Sequence, residues 1–283
     1  MMIMMIPAFM VLVFIIIIVL FVLYESRKVE FDYYTVPVAQ LPAELENLRI
    51  AVLSDIHYSP QMEESFLDRI ISRINEEHPD MVLITGDLAS FHTQWVLQIP
   101  DLLQKLSSRY GTYMVPGNHD HCYGRQALMK KLQSVGITVL KNQHVSVGSK
   151  ECSIQLIGID DPATYRDETE EVLEKLPREG MRILMCHSPD GIRPAIREKV
   201  PLILTGHTHG GQIRLPFIGA LFLPTREERE FDKGWFRQSQ SWIYVSRGLG
   251  NAGFPIRIFC PREVAMVTLT SSGSTVVAKK KLL

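Results

Sequence analysis

Residues 3–23 form an unbroken run of 21 side chains without one charged or strongly polar group. No other feature restricts the chain's options as much. As a helix rising about 1.5 Å per residue the run spans about 31 Å, the thickness of a bilayer's hydrocarbon core. A secretory signal would instead show a basic leader, a shorter apolar stretch and a small-x-small cleavage site. No Lys or Arg precedes this run, and Leu23-Tyr24-Glu25-Ser26 is a poor cleavage site. Residues 1–24 are therefore read as an uncleaved transmembrane anchor. Arg27 and Lys28 on its C-terminal flank place the rest of the chain in the cytoplasm by the positive-inside rule. Lys279, Lys280 and Lys281 are fewer than a lipid-binding cluster needs, and residues 271–283 read as a solvated basic tail.

Composition narrows the partners. Thirty Lys and Arg against 31 Asp and Glu give a net charge of −1, which offers no basic footprint for nucleic acid. Four scattered cysteines without a C-x-x-C pair exclude a disulfide scaffold, zinc knuckles and thioredoxin-like chemistry. Free thiols suit a reducing compartment.

Beyond the anchor, residues 25–48 read as a juxtamembrane segment with an alternating strand over 29–38, broken by Pro37 and Pro42. No linker, repeat or charge block interrupts residues 49–270, which read as one domain. Short apolar runs at 49–53, 81–85, 112–115, 137–140, 144–147, 153–159, 181–186, 202–205, 212–215, 242–246 and 263–270 read as strands. Residues 63–78 and 124–135 read as helices, the first with Phe66, Leu67, Ile70, Ile71 and Ile74 on one face. Helices between early strands and consecutive late strands predict a mixed α/β class.

The chemistry sits just past the ends of these strands. Ser54-Asp55-Ile56-His57 comes after the first domain strand and Thr85-Gly86-Asp87 after the second. Pro116-Gly117-Asn118-His119-Asp120 comes after the third, His187 ends the 181–186 run, and Thr205-Gly206-His207-Thr208-His209-Gly210-Gly211-Gln212 succeeds 202–204. Strand C-termini are where an open α/β sheet gathers its ligand site. Five of the nine histidines belong to this set. Each piece alone is commonplace: Gly-Asp after a strand is usually a turn, and a lone histidine usually a capping or core residue. Together, Asp, Asn and neutral His converging from apolar strands describe a metal site.

In these motifs the chain resembles the calcineurin-like metallophosphoesterase superfamily, whose signature runs Asp-x-His, Gly-Asp, Gly-Asn-His-Asp/Glu, a lone His and Gly-His-x-His. The resemblance covers residues 50–270. It implies an α/β, four-layer sandwich of two mixed β-sheets flanked by helices, with two divalent metal ions at one edge. It further implies that Asp55, His57, Asp87 and His209 hold one metal and that Asp87, Asn118, His187 and His207 hold the other, so that Asp87 bridges. A carboxylate suits that place because its two oxygens can each face a cation. Mn, Fe, Zn and Co all suit the donor set. By the same resemblance His119 reaches the leaving-group oxygen and Asp120 fixes its tautomer.

Gly86-Asp87-Leu88-Ala89-Ser90-Phe91 lacks the Asp-Arg-Gly of the phosphoprotein phosphatases. Gly-His-Thr-His-Gly-Gly-Gln, Arg247-Gly248-Leu249-Gly250 and Arg257 before Pro261 look like a membrane-associated bacterial group. That group includes general phosphodiesterases and the lipid A pathway pyrophosphatase acting on UDP-2,3-diacylglucosamine. The expected substrate is a phosphodiester or pyrophosphate, possibly lipid-linked. A broad phosphodiesterase and, more remotely, a non-catalytic scaffold are the alternatives. Residues 215–224 read either as a buried hairpin with a Gly turn or as an apolar lip beside the metals. Arg193, Arg247 and Arg257 are candidates for bidentate contacts to phosphate, solvation being the plainer part for any of them.

Overall fold

Why the chain needs two sheets is visible in its strands, which are apolar on both sides and so must be covered on both. The computed structural model describes residues 2–59, 62–88, 97–122, 125–149, 152–177, 180–226 and 229–283. Helix α1 (Met2–Arg27) is long and apolar enough, by length and composition, to cross a membrane. After Lys28 alone the chain enters strand β1 (Val29–Pro37).

The first sheet also contains β2 (Arg49–Leu53), β3 (Met81–Ile84), β4 (Thr112–Met114), β5 (Ile137–Val139), β14 (Arg262–Thr270) and β15 (Val277–Leu282). Their order is β15-β1-β14-β2-β3-β4-β5, parallel from β2 to β5. The second sheet has β6 (Gln143–Gly148), β7 (Ser153–Gly158), β8 (Met181–Met185), β9 (Leu202–Thr205), β12 (Gly234–Gln238) and β13 (Ser241–Val245). Its order is β12-β13-β9-β8-β7-β6, with both edge strands antiparallel to a parallel centre. Strands β10 (Arg214–Leu215) and β11 (Gly219–Ala220) form a separate hairpin.

Alternation then builds the layers. Ile50 and Val52 of β2 meet Leu202 and Leu204 of β9 in the core between the sheets. Ala51 and Leu53 face outward onto Leu67, Ile70, Ile71 and Ile74 of α2 (Glu64–Glu76). On the far side Ile203 and Ile243 pack against Val172, Leu173 and Ala195 from α6 (Thr169–Glu174) and α7 (Arg193–Arg197). Three short helices complete the described set: α3 (Ile99–Leu103), α4 (Asn118–Cys122) and α5 (Arg125–Ser134). The expected α/β sandwich of two mixed sheets flanked by helices is thus the observed fold. Ala89, Ser90 and Phe91 of the segment after Asp87, and Gly124 at the start of the second expected helix, lie outside the described residues.

The strand expected over 29–38 is β1, which pairs in parallel with β14 along nine residues inside the first sheet. The C-terminal segment is not a loose tail: β15 pairs antiparallel with β1. Lys280 Nζ lies 2.8 Å from Glu30 Oε2, and Lys281 Nζ sits 4.7 Å from the Tyr33 ring centre. Lysines on an edge strand also discourage pairing with another chain.

Candidate metal centre

The parallel strands β2, β3, β4, β8 and β9 end at one side of the sandwich, and there the loops turn sharply. Asp55, His57, Asp87, His207 and His209 all adopt left-handed backbone, with φ between 44° and 68°. Non-glycine residues rarely hold that conformation, and its clustering here marks strain kept for function. Glycines supply close approach. A Cβ on Gly117 would lie 2.2 Å from Asp87 Oδ1, and one on Gly206 2.5 Å from Asp55 Oδ2.

Asp55 is fully buried. Its Oδ2 accepts from the His207 amide at 3.0 Å and from the Ser54 hydroxyl. Its Oδ1 has no hydrogen-bond donor among the described residues and faces His209 Nε2 at 3.3 Å. The Nε2 atoms of His57 and His209 approach to 3.1 Å with their rings stacked. On the other side the His187 Nδ1–H donates to the Thr85 carbonyl at 2.7 Å. That leaves His187 Nε2 facing Asn118 Oδ1 at 3.2 Å and His207 Nδ1 at 3.1 Å. Asp87 Oδ2 joins the halves, 3.5 Å from His57 Nε2 and 3.3 Å from His187 Nε2. Asp87 Oδ1 accepts from the His119 amide at 2.9 Å.

These donors form adjoining groups that could hold metal: Asp55, His57 and His209; His57, Asp87 and His119; and Asp87, His187 and His207. Their chemistry fits divalent cations. Imidazole nitrogens converge in pairs at 3.1 Å, beside an Asp55 Oδ1 atom to which no described group donates. Burial opposes charge on His187, yet Asp87 and Asp55 outweigh it and hold its proton affinity well above the ordinary value. Burial also works against the Asp87 carboxylate, but His187, His57 and His119 hold its pKa low. Burial raises Asp55. Burial and His187 push His207 down to about 4, and burial and His57 lower His209, so both are neutral ligands at pH 7. The pocket favours positive charge beside its carboxylates.

A calcineurin-like phosphoesterase profile matches residues 48–211, more than half of the chain. The chain belongs to that family. A Bacillus subtilis metallophosphoesterase, YkuE, is 31% identical over 255 residues, covering 88% of each chain. A zebrafish transmembrane protein with a metallophosphoesterase domain is 34% identical, and the match covers 83% of this chain but only 56% of the relative. Escherichia coli phosphodiesterase YaeI is 31% identical over 78% of this chain and 82% of its own. Fold and ligand geometry together make this calcineurin-like phosphoesterase a metal-dependent hydrolase with a dinuclear site.

Seven expected ligands, Asp55, His57, Asp87, Asn118, His187, His207 and His209, thus come together. His119 joins them, its ring edge-on to His57 with centres 4.7 Å apart. It is only half-buried, as is Asn118, so the pair lies on the open side of the site. Asp120 also ties the loops of the site. Its oxygens accept from the amides of Asp87, Leu88 and Gly117 at 2.9–3.0 Å, which locks two ligand-bearing loops together.

The arginine expectations also change. Arg247 is buried and pairs with Glu30, Asp32 and Glu263, three carboxylates that hold its guanidinium inside the first sheet. Arg257 is fully buried. It donates to the carbonyls of Arg247, Gly250 and Cys260 and to Asn251 Oδ1, and its Nη2 lies 3.3 Å from His209 Nδ1. Its guanidinium lies behind His209 and meets backbone carbonyls. Arg193 pairs with Glu230 and stacks 5.3 Å from the Phe231 ring centre, on the α7 side. Sequence reasoning missed Asp160, whose Oδ1 lies 2.6 Å from His121 Nε2. Asp160 comes after β7 and carries the same strand-then-acid signal as Asp55 and Asp87; the Thr85 carbonyl behind His187, a backbone group, carries none.

Proposed function

We propose that the protein hydrolyses a phosphodiester or pyrophosphate bond of a membrane-borne substrate, a lipid-linked nucleotide such as UDP-2,3-diacylglucosamine being the fitting example, with α1 as anchor and the domain on the cytoplasmic side. The observation that carries the chemistry is Asp87 Oδ2, set between His57 and His187 so that one carboxylate serves both ligand groups. Two divalent ions in such a site lower the pKa of water and neutralise phosphoryl oxygens. Asp55, His57 and His209 would hold one ion, and Asn118, His187 and His207 the other, with Asp87 between. His119, on the open side, is placed to donate a proton to the departing oxygen. Gly117 and Gly206 let the carboxylates reach inward, and Asp120 fixes the loops so that little reorganisation is needed on binding.

Membrane-borne substrate is favoured because α1 runs into the domain with no linker. A second reading is a broad phosphodiesterase without lipid requirement; the related YaeI is named a phosphodiesterase. The intact ligand set speaks against a non-catalytic scaffold. Activity of the full-length protein on UDP-2,3-diacylglucosamine and on bis-p-nitrophenyl phosphate, each with added Mn, Fe, Zn or Co, separates the readings. Preference for the acylated substrate is expected. Equal turnover with and without acyl chains favours the broad phosphodiesterase, and no turnover of either returns the scaffold.

A further inference from the structure

The last turn of α1 is built into the domain. Glu25 and Ser26 are buried. The Phe259 amide donates to Glu25 Oε2 at 3.2 Å, the Arg257 amide to Ser26 Oγ at 2.9 Å, and Arg262 Nε to the Ser26 carbonyl at 3.1 Å. Phe21, about 9 Å up the helix from Arg27, packs on Phe259 with ring centres 5.5 Å apart. The loop ending at Phe259 therefore lies at the level of the apolar helix, and Phe259 is 48% exposed.

That loop is stitched to the segment leaving the metal ligands. Ile258 and Gln212 are joined by a 3.0 Å backbone bond, as are Arg214 and Ile258, and Gln212 Nε2 donates to the Phe254 carbonyl. From Arg214 the chain turns through the β10–β11 hairpin, returning past Leu221, whose amide donates to the Ile213 carbonyl. Of the two expectations for residues 215–224, the buried hairpin is the one that fails. Phe217 is fully exposed, Phe222 is 72% and Ile218 61% exposed, and Leu221 is also exposed. Phe254, whose carbonyl Gln212 holds, is 75% exposed. Arg229 Nη1 donates to the Ile218 carbonyl at the hairpin tip, a guanidinium next to apolar rings. Both ends of the hairpin segment are rooted at metal ligands: it starts after His209, and the backbone of Pro224 hydrogen-bonds the His207 ring.

We propose that this hairpin, with Phe254 and Phe259, is a second, lipid-facing seat that presses the mouth of the metal site against the bilayer spanned by α1. The occupant is the membrane itself, because the patch is continuous with the apolar helix through Phe259 and Phe21. Aromatic rings flanked by a cation are the composition of interfacial segments, which sink about 5–10 Å into the boundary of headgroups and acyl chains. The seat rests on the reading of α1 as a membrane span but on no particular substrate. It would meet phosphoryl groups at headgroup level.

The test uses the full-length protein in phosphatidylethanolamine–phosphatidylglycerol vesicles, with or without lipid brominated midway along the acyl chain. Phe217→Trp and Leu20→Trp are compared with the parent by difference fluorescence. Bromolipid is expected to quench both added indoles. Quenching at residue 20 but not at 217 overturns the seat and leaves the span standing. Quenching at neither overturns both. An indole at 217 that is shielded from acrylamide yet insensitive to bromolipid overturns the lipid seat in favour of a protein partner. A second arm uses Phe217→Ser/Phe222→Ser, residues outside the metal site. Turnover of a vesicle-embedded phosphodiester should fall about tenfold or more, with soluble bis-p-nitrophenyl phosphate unchanged. Unchanged turnover of both overturns the seat. An equal fall on both also overturns it, provided the variant's circular dichroism and melting match the parent.

Discussion

His119 is half-buried at the open side while His57, His187, His207 and His209 are sunk, so its removal should separate chemistry from metal binding. His119→Ala is expected to keep its metal content, measured by elemental analysis, while kcat falls about 10²–10⁴-fold. Gly117→Ala should do the reverse. Its new Cβ would lie 2.2 Å from Asp87 Oδ1, so the bridging carboxylate must move, and bound metal should drop before stability does. Arg257→Met leaves the buried carbonyls of Arg247, Gly250 and Cys260 without this donor. A loss of about 3 kcal/mol in denaturant unfolding is expected. The ligand residues were legible in the sequence because each comes after an apolar run and carries a chemically distinctive side chain. The arginines were not: Arg247 and Arg257 look alike in sequence whether they meet a phosphate or a buried carboxylate, and only burial tells these apart. The loop-tying part of Asp120 was hidden for a related reason: the main-chain amides of Asp87, Leu88 and Gly117 that it holds carry no side-chain signal.

The element most open to test is the seam where β1 meets β14 and β15. Glu30 and Asp32 of β1 and Glu263 of β14 share the Arg247 guanidinium, with Lys280 of β15 at the rim. Burial raises the Glu30 carboxyl, but Lys280, Lys28 and Arg247 outweigh it and hold it at about 2. Its folded value is thus below its ordinary one of 4.5, so it stabilises fully above that pH and loses its contribution as pH falls toward 2. Asp32 runs the other way: burial and Glu263 raise it to about 6, so its ionisation costs stability as pH climbs from 3.8 to that value. Melting measured against pH should show Glu30→Gln flattening the acid limb and Asp32→Asn removing the decline at mildly acidic pH. The long strands and α2 were readable from periodicity. The short helices α3, α6 and α7 were not, since five or six residues give little more than one turn of pattern. Strand β15 was hidden because its three lysines look like a solvated tail, and pairing with β1 is non-local.

At the scale of the whole molecule, helix, sheet and metal site form one continuous body. Ser26 holds Arg257, Arg257 backs His209, and the ligand loop runs on into the exposed hairpin. A chain beginning at Val29 should therefore melt lower than one beginning at Val22, which keeps Glu25 and Ser26, with differential scanning calorimetry as the check. A mixed α/β class was readable from the order of apolar runs, and the four-layer sandwich only from the family resemblance; the joining of α1 and domain was not, because the sequence reads there as a boundary of composition. The central claim is that two divalent ions sit in a site joined by Asp87 and that hydrolysis depends on them. Elemental analysis of the purified full-length protein, read alongside hydrolysis of bis-p-nitrophenyl phosphate before and after chelation, tests this most directly. About two ions per chain are predicted, with activity lost on chelation, regained on metal return, and both ions depleted in Asp87→Asn. Undiminished hydrolysis by the chelated protein with no metal left in it would contradict the account.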